Sequence, residues 1–159
     1  MNLVGLAPLW LISALLVVLA AAAVEDGWRL RISNLIPLTI IIIAIVAIVI
    51  AGPRMALWQN LTLFAALLVI GTFLFSARLL GGGDVKLLAS CGLWFDLSGG
   101  WRMLVIVAIA GGILAMLILS IKLVAPESAR RWIPLKPNSG VPYGVAIAAG
   151  TAVAIWLWR

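Results

Sequence analysis

Long apolar runs, separated by short polar breaks, make up almost the whole chain. Six of them have the length of helices: Leu3–Val24, Leu35–Ala51, Leu57–Ser76, Asp84–Leu97, Arg102–Val124 and Val141–Trp158. Glycine- or proline-bearing breaks stand between them. Several runs approach the roughly 20 apolar residues that cross a bilayer core of ~30 Å, and helices satisfy their own backbone groups in lipid. The pattern predicts an all-α, polytopic membrane helical bundle of about six transmembrane helices, with residues 1–159 forming a single domain.

Composition agrees with this class. Of the 159 residues, 65% are hydrophobic and 10% are charged, and the formal net charge is +6. Cytoplasmic loops and anionic head groups explain such a charge better than nucleic acid does, so we expect a lipid bilayer as partner and no nucleic acid. One cysteine and no histidine exclude a disulfide framework and any His- or Cys-based metal cluster. We therefore expect no metal ion and no cofactor.

The distribution of positive charge predicts the orientation. The first run is expected to be a retained helix rather than a cleaved signal, because no Lys or Arg precedes it. If all six runs cross with the N-terminus outside, eight basic residues fall inside and three outside. The inner set is Arg29, Arg31, Arg78, Lys86, Lys122, Arg130, Arg131 and Lys136, and the outer set is Arg54, Arg102 and Arg159. If the short fourth run does not cross, the split falls to six and five, so the positive-inside rule favours six crossings.

Two of the five acidic residues fall at matching ends of predicted helices. Asp26 ends the first helix and Asp84 begins the fourth, so two crossings separate them and both face the same side of the membrane. Asp96 lies twelve residues past Asp84 and is expected near the opposite face. Ionisable side chains at membrane depth are functional candidates, because their burial costs at least a few kcal/mol. Two carboxyl groups within hydrogen-bond reach can act as general base and general acid on an amide.

The residues around Asp84 read "GGGDVKLLA", from Gly81 to Ala89. Gly81 and Gly83 permit a close approach of an extended peptide, although a triple glycine also suits a plain helix-to-helix turn. Lys86 is either a membrane-surface anchor or a group that steadies Asp84 or contacts a substrate. Asn34 either caps the second helix or hydrogen-bonds near Asp26.

Three segments carry a family resemblance. "GGGDVKLLA" resembles the Gly-x-Gly-Asp-x-Lys signature of the prepilin peptidases, which are the type IV leader peptidases among the GxGD membrane aspartic proteases. "EDGWRLRISNLI", from Glu25 to Ile36, is similar to the family's first-aspartate region, with Ser33 where proline is usual. "VPYGVAIAAG", from Val141 to Gly150, is similar to the opening of the family's last helix. The three segments stand in the family's order.

The resemblance implies an endopeptidase whose catalytic residues are Asp26 and Asp84. It would remove the basic leader from pilin precursors at the cytoplasmic face of the bacterial inner membrane, binding both the leader and the signal-anchor helix. The site-supporting or substrate-binding residues would be Gly81, Gly83, Lys86 and Asn34. With one cysteine and no room for paired Cys-x-x-Cys motifs, the chain resembles the compact Flp/Tad type, which lacks a methyltransferase or zinc-binding insert. The alternatives are a small proton-coupled transporter and a structural secretion subunit, in which the two aspartates act separately or not at all.

Overall fold

The computed structural model describes residues 1–52, 54–124 and 140–159 of the chain. Seven helices and no strand occupy these residues, which confirms the predicted all-α bundle. The helices are α1 (Leu3–Leu6), α2 (Leu9–Arg29), α3 (Leu35–Ala51), α4 (Leu57–Ser76), α5 (Gly82–Gly92), α6 (Leu97–Val124) and α7 (Tyr143–Trp158).

Three helices in the described part, α2, α4 and α6, are long and apolar enough to cross a membrane. α3 and α7 are apolar but shorter, with 17 and 16 residues. α5 has only 11 residues, which at 1.5 Å per residue gives about 16 Å. Three of the eight basic residues that are predicted to lie inside, Arg130, Arg131 and Lys136, are outside the described residues.

The prediction of one first helix over Leu3–Val24 is wrong. Pro8 separates α1 from α2, and Ala7 before it is extended, as residues that precede proline usually are. α2 then continues past Val24 to Arg29. Asp26 therefore lies within the last turn of α2.

The predicted boundaries around the fourth and fifth helices are also wrong. α5 ends at Gly92, and α6 begins at Leu97 rather than Arg102. Asp96 explains the early start: its Oδ1 accepts the N–H of Gly99 at 2.7 Å, as an N-cap carboxylate does. The Ser98–Gly100 segment, expected to break the chain, is therefore the first turn of α6.

α5 lies at the centre of the bundle, packed against α3, α4 and α7. The residue that follows its C-terminus, Leu93, is tied to α1 and α4 by the fully buried Asn60. The Asn60 side-chain N–H groups donate to the carbonyls of Met1 and Leu93, both at 2.8 Å. Trp94, the next residue, is also fully buried. This anchored end directs the opposite end of α5, with Asp84, towards the end of α2.

α7 packs closely on α6 because of Gly150. A Cβ atom at Gly150 would lie 2.7 Å from the Cα atom of Val107. Such approaches of small residues are common between membrane helices. The contact holds α7 along α6 and places its first turn, Tyr143–Ala146, beside the end of α2.

Candidate active site

The two aspartates predicted to share one side of the membrane line the same pocket. This pocket has a volume of about 500 Å³ and opens at the end of the bundle where α2 ends and α5 begins. Asp26 and Asp84 come from helices far apart in the sequence, and their carboxyl groups are close enough to interact electrostatically. The volume lies in the range of sites that bind small molecules or peptide segments.

The Asp26 carboxyl group is held by the beginning of α7. The Asp26 side chain is only 4% exposed, and its Oδ2 accepts the N–H of Val145 at 3.3 Å. The first N–H groups of a helix have no partner within the helix, so the carboxylate satisfies one of them. Gly144 makes this contact possible, because a Cβ atom there would lie 2.8 Å from Asp26 Oδ2.

The Asp84 carboxyl group is oriented within its own helix turn. Asp84 is the third residue of α5, and its Oδ2 accepts the N–H of Gly81 at 3.2 Å. An acidic side chain at this position commonly reaches back to the residue before a helix. A Cβ atom at Gly81 would lie 2.7 Å from the same oxygen, so glycine leaves the space that the Asp84 side chain occupies.

Gly83 brings α5 against the segment that follows Asp26. A Cβ atom on Gly83 would lie 3.0 Å from Ile32 Cβ and 3.3 Å from the backbone nitrogen and oxygen of Ile32. Because two of these atoms belong to the backbone, the contact cannot be relieved by a rotamer change. Gly81 and Gly83 thus both have a structural reason to lack a side chain, while their part in substrate binding stays a prediction.

Lys86 and Asn34, the other two predicted site residues, bond to each other. The Lys86 ammonium donates to Asn34 Oδ1 at 2.8 Å, which ties α5 to the residue before α3. The Asn34 side chain makes no capping bond to α3; instead the Ser33 hydroxyl accepts the N–H of Leu35 at 3.3 Å. The direct partner of Lys86 is therefore the loop after Asp26 rather than Asp84.

Ser33 itself makes a bond that the usual proline cannot make. Its N–H donates to Glu25 Oε2 at 3.1 Å, whereas proline has no backbone N–H. The bond closes residues 25–33 into a turn next to Asp26. The departure from the family pattern is thus accommodated by a hydrogen bond within the same segment.

Sequence reasoning did not select three residues that line or shape the pocket: Gly144, Tyr143 and Arg78. Gly144 and Tyr143 were part of the segment "VPYGVAIAAG", but nothing in a sequence shows that this segment meets Asp26. Arg78 lies in the left-handed region with φ 59°, as does Leu30 with φ 51°, and both line the pocket. Such conformations are uncommon for non-glycine residues and often mark functional sites.

The described part of the chain contains no candidate metal-binding site. No group of three or more His, Cys, Asp or Glu residues there is arranged to hold a metal ion. The carboxyl groups that line the pocket are those of Asp26 and Asp84.

A protein-family model described as "Type IV leader peptidase family" matches residues 13–120. The match begins within α2 and ends within α6, so it includes both aspartates, Asn34 and Lys86, while α7 lies beyond it. No curated protein and no solved structure matches the chain significantly. Because the family model covers more than half of the chain, the protein belongs to the type IV leader peptidase family.

Proposed function

We propose that the protein is a membrane aspartic endopeptidase that removes the basic leader from type IV pilin precursors of the Flp type. Family membership supports a leader peptidase, and one observation supports the aspartic mechanism. Asp26 and Asp84, brought together from α2 and α5, line a single pocket. A proton-coupled transporter or a structural subunit would not require two carboxyl groups in one peptide-sized pocket.

In the proposed mechanism the two carboxyl groups share the proton transfers of amide hydrolysis. An ionised carboxylate accepts a proton from a water molecule held between them, and the water oxygen attacks the carbonyl carbon of the scissile bond. The other carboxyl group, protonated, donates its proton to the leaving amine nitrogen as the carbon–nitrogen bond breaks. This division of roles is available to a carboxyl pair because two close carboxylates do not readily ionise together.

The active site would face the cytoplasm of a bacterial inner membrane. Arg29, Arg31, Arg78 and Lys86 lie at or next to the pocket end of the bundle. Arg54, Arg102 and Arg159 lie at the other end, where the Arg102 guanidinium carbon is 5.8 Å from the centroid of a Trp158 ring, so the pocket end has more of the described basic residues. This asymmetry in the described residues supports an inward-facing pocket under the positive-inside rule. The substrate's leader is basic, and Asp26, Asp84 and Glu25 supply negative charge near it.

The experiment is cleavage of a pilin precursor by the purified full chain in lipid nanodiscs, followed by mass spectrometry of the products. Asp26→Asn and Asp84→Asn should each reduce cleavage at least about 100-fold, the usual contribution of one general acid or base. Asp96→Asn is the matched control, because this carboxylate lies at the opposite end of α5 and caps α6. Cleavage that survives either active-site substitution would overturn the proposed mechanism, and a wild-type protein that cuts no precursor would overturn the proposed function.

A further inference from the structure

α4 ends in a helix-terminating motif that usually contains glycine. The N–H of Arg78 donates to the carbonyl of Phe75, and the N–H of Leu79 donates to the carbonyl of Leu74, both at 2.9 Å. These two bonds define a Schellman motif with Arg78 at the left-handed position, where its φ is 59°. Glycine is favoured there because it has no Cβ atom. The chain instead carries the largest basic side chain at this point.

The Arg78 side chain is exposed and lines the pocket that contains Asp26 and Asp84. Among the described residues, its guanidinium has no hydrogen-bond or ion-pair partner. The guanidinium therefore makes no ion pair with Asp26 or Asp84, and the turn is closed by backbone bonds alone. Arg78 thus adopts a backbone conformation that is unfavourable for arginine, and its side chain lines the pocket. Among the described residues the guanidinium is not engaged, so it can bind a substrate group.

We propose that Arg78 is a specificity-determining residue that binds an acidic side chain of the substrate close to the scissile bond. The inference rests on the proposed peptidase function. Guanidinium pairs with carboxylate through two parallel hydrogen bonds, a geometry that lysine or a neutral side chain cannot reproduce. Apart from Tyr143, the other ionisable groups of the described pocket wall are the carboxyl groups of Asp26 and Asp84, and the one that is ionised in the proposed mechanism repels a carboxylate. An acidic substrate residue consequently has one favourable position, beside Arg78.

In this proposal Arg78 binds an acidic side chain of the peptide while the two aspartates act on the scissile bond in the same pocket. Arg78 thus acts on which peptide is bound and how, while proton transfer stays with the two aspartates.

The test uses the purified full chain in nanodiscs and synthetic precursor peptides with a basic leader and an apolar segment. The peptides carry Glu, Gln or Lys at each position near the cut in turn. The wild-type protein should prefer Glu over Gln at one position by roughly 10- to 100-fold in kcat/KM, the effect expected of a hydrogen-bonded charge pair. Arg78→Gln should lose this preference, chiefly through a higher KM. Arg78→Lys should keep part of it, and Arg78→Glu should favour the Lys peptide.

Two variants separate substrate binding from folding. Arg78→Gly should raise the melting temperature, because glycine suits the left-handed position, and should lose the Glu preference. Arg54→Gln, an exposed arginine that does not line the pocket, is the matched control and should keep the preference.

The inference is overturned if the wild type shows no Glu preference at any position, or if Arg78→Gln slows all peptides equally. Those results, obtained while Asp26→Asn and Asp84→Asn still abolish cleavage, would leave the peptidase function standing. Absence of cleavage by the wild type would end both proposals.

Discussion

Gly144 offers the sharpest test of how the pocket is assembled. Gly144→Ala adds one carbon atom, which would lie 2.8 Å from Asp26 Oδ2 and 2.9 Å from Asp26 Cγ. Ile32 Cδ1, at 2.6 Å, is the end of a flexible side chain and can move aside. The Asp26 side chain is 4% exposed and bonded to the N–H of Val145, so it has little room to retreat. Either the carboxyl group or the first turn of α7 must shift.

The size of the effect follows from these distances. The added carbon would be about 0.6 Å closer to Asp26 Oδ2 than the 3.4 Å at which ordinary contact begins. Overpacking of this kind costs about 1–3 kcal/mol. A displacement of about 1 Å at a reacting group can reduce the rate about 100-fold. We therefore expect Gly144→Ala to lower kcat by roughly 10- to 100-fold and also to lower the melting temperature.

The assay compares precursor cleavage and thermal unfolding of the purified variant with those of Gly112→Ala. Gly112 lies in α6, and a Cβ atom there would meet nothing within 4 Å. Because alanine favours a helix by about 1 kcal/mol over glycine, Gly112→Ala should cleave normally and unfold no earlier than the wild type. A folded Gly144→Ala protein with wild-type kcat would refute the idea that this contact positions Asp26. If Gly112→Ala lost as much kcat as Gly144→Ala, the loss could not be assigned to the contact between residue 144 and Asp26.

Two further predictions concern polar contacts at the two ends of the bundle. Lys86→Met and Asn34→Ala each remove the same hydrogen bond, so the double variant should cleave about as slowly as the slower single variant; additive losses in this double-mutant cycle would contradict the tether. At the other end, burial alone would raise the pKa of the Asp96 carboxyl group, but hydrogen bonds such as that from Gly99, together with positive charges including Arg102, hold its pKa below the usual value. Such a group stabilises the fold above its unfolded pKa of about 3.9, and this contribution, here below about 1 kcal/mol because Asp96 is partly exposed, is lost on acidification. The melting temperature of the wild type should therefore fall more steeply than that of Asp96→Asn between about pH 5 and pH 3, and parallel curves would contradict the assignment.

The apolar pattern predicted the class of fold and most helix positions, but local caps decided the boundaries. Pro8 splits the first run, although the run is apolar throughout. Asp96 makes a helix turn of Ser98–Gly100, a segment that reads as a break when the cap is ignored. Asp96, three residues before Gly99, is an N-cap candidate that the sequence itself shows, so the start of α6 at Leu97 is predictable from the sequence. Pro8 is visible in the sequence too, whereas nothing in the sequence shows that Trp94 and Phe95, just after the end of α5, are fully buried.

The common side of Asp26 and Asp84 was predictable from the number of crossings alone. Their meeting in one pocket was not, because it depends on contacts between segments far apart in the chain. Lys86 bonds to Asn34, and α7 contributes the N–H of Val145, yet neither pairing has a signal in one sequence. For Arg78 the sequence indicates only an inner-side charge, since nothing in a sequence shows that its backbone is left-handed.

Close contacts at Ile32 help to set the relative position of the two aspartates. Cβ atoms placed on Gly83 and Gly144 would both collide with this residue, Gly83 at 3.0 Å from its Cβ and Gly144 at 2.6 Å from its Cδ1. The segment after Asp26 is thus packed between the first turns of α5 and α7. The Gly83 contact includes backbone atoms of Ile32, so a rotamer change cannot relieve it and it fixes the position of α5 against this segment. The Gly144 contact involves only the flexible end of the Ile32 side chain, and α7 is positioned instead by its contact with the Asp26 carboxyl group. The spacing from Asp26 to Ile32 consequently determines where α5 and Asp84 stand relative to the Asp26 carboxyl group. Insertion of one residue in that segment would separate the two carboxyl groups even if every helix formed normally.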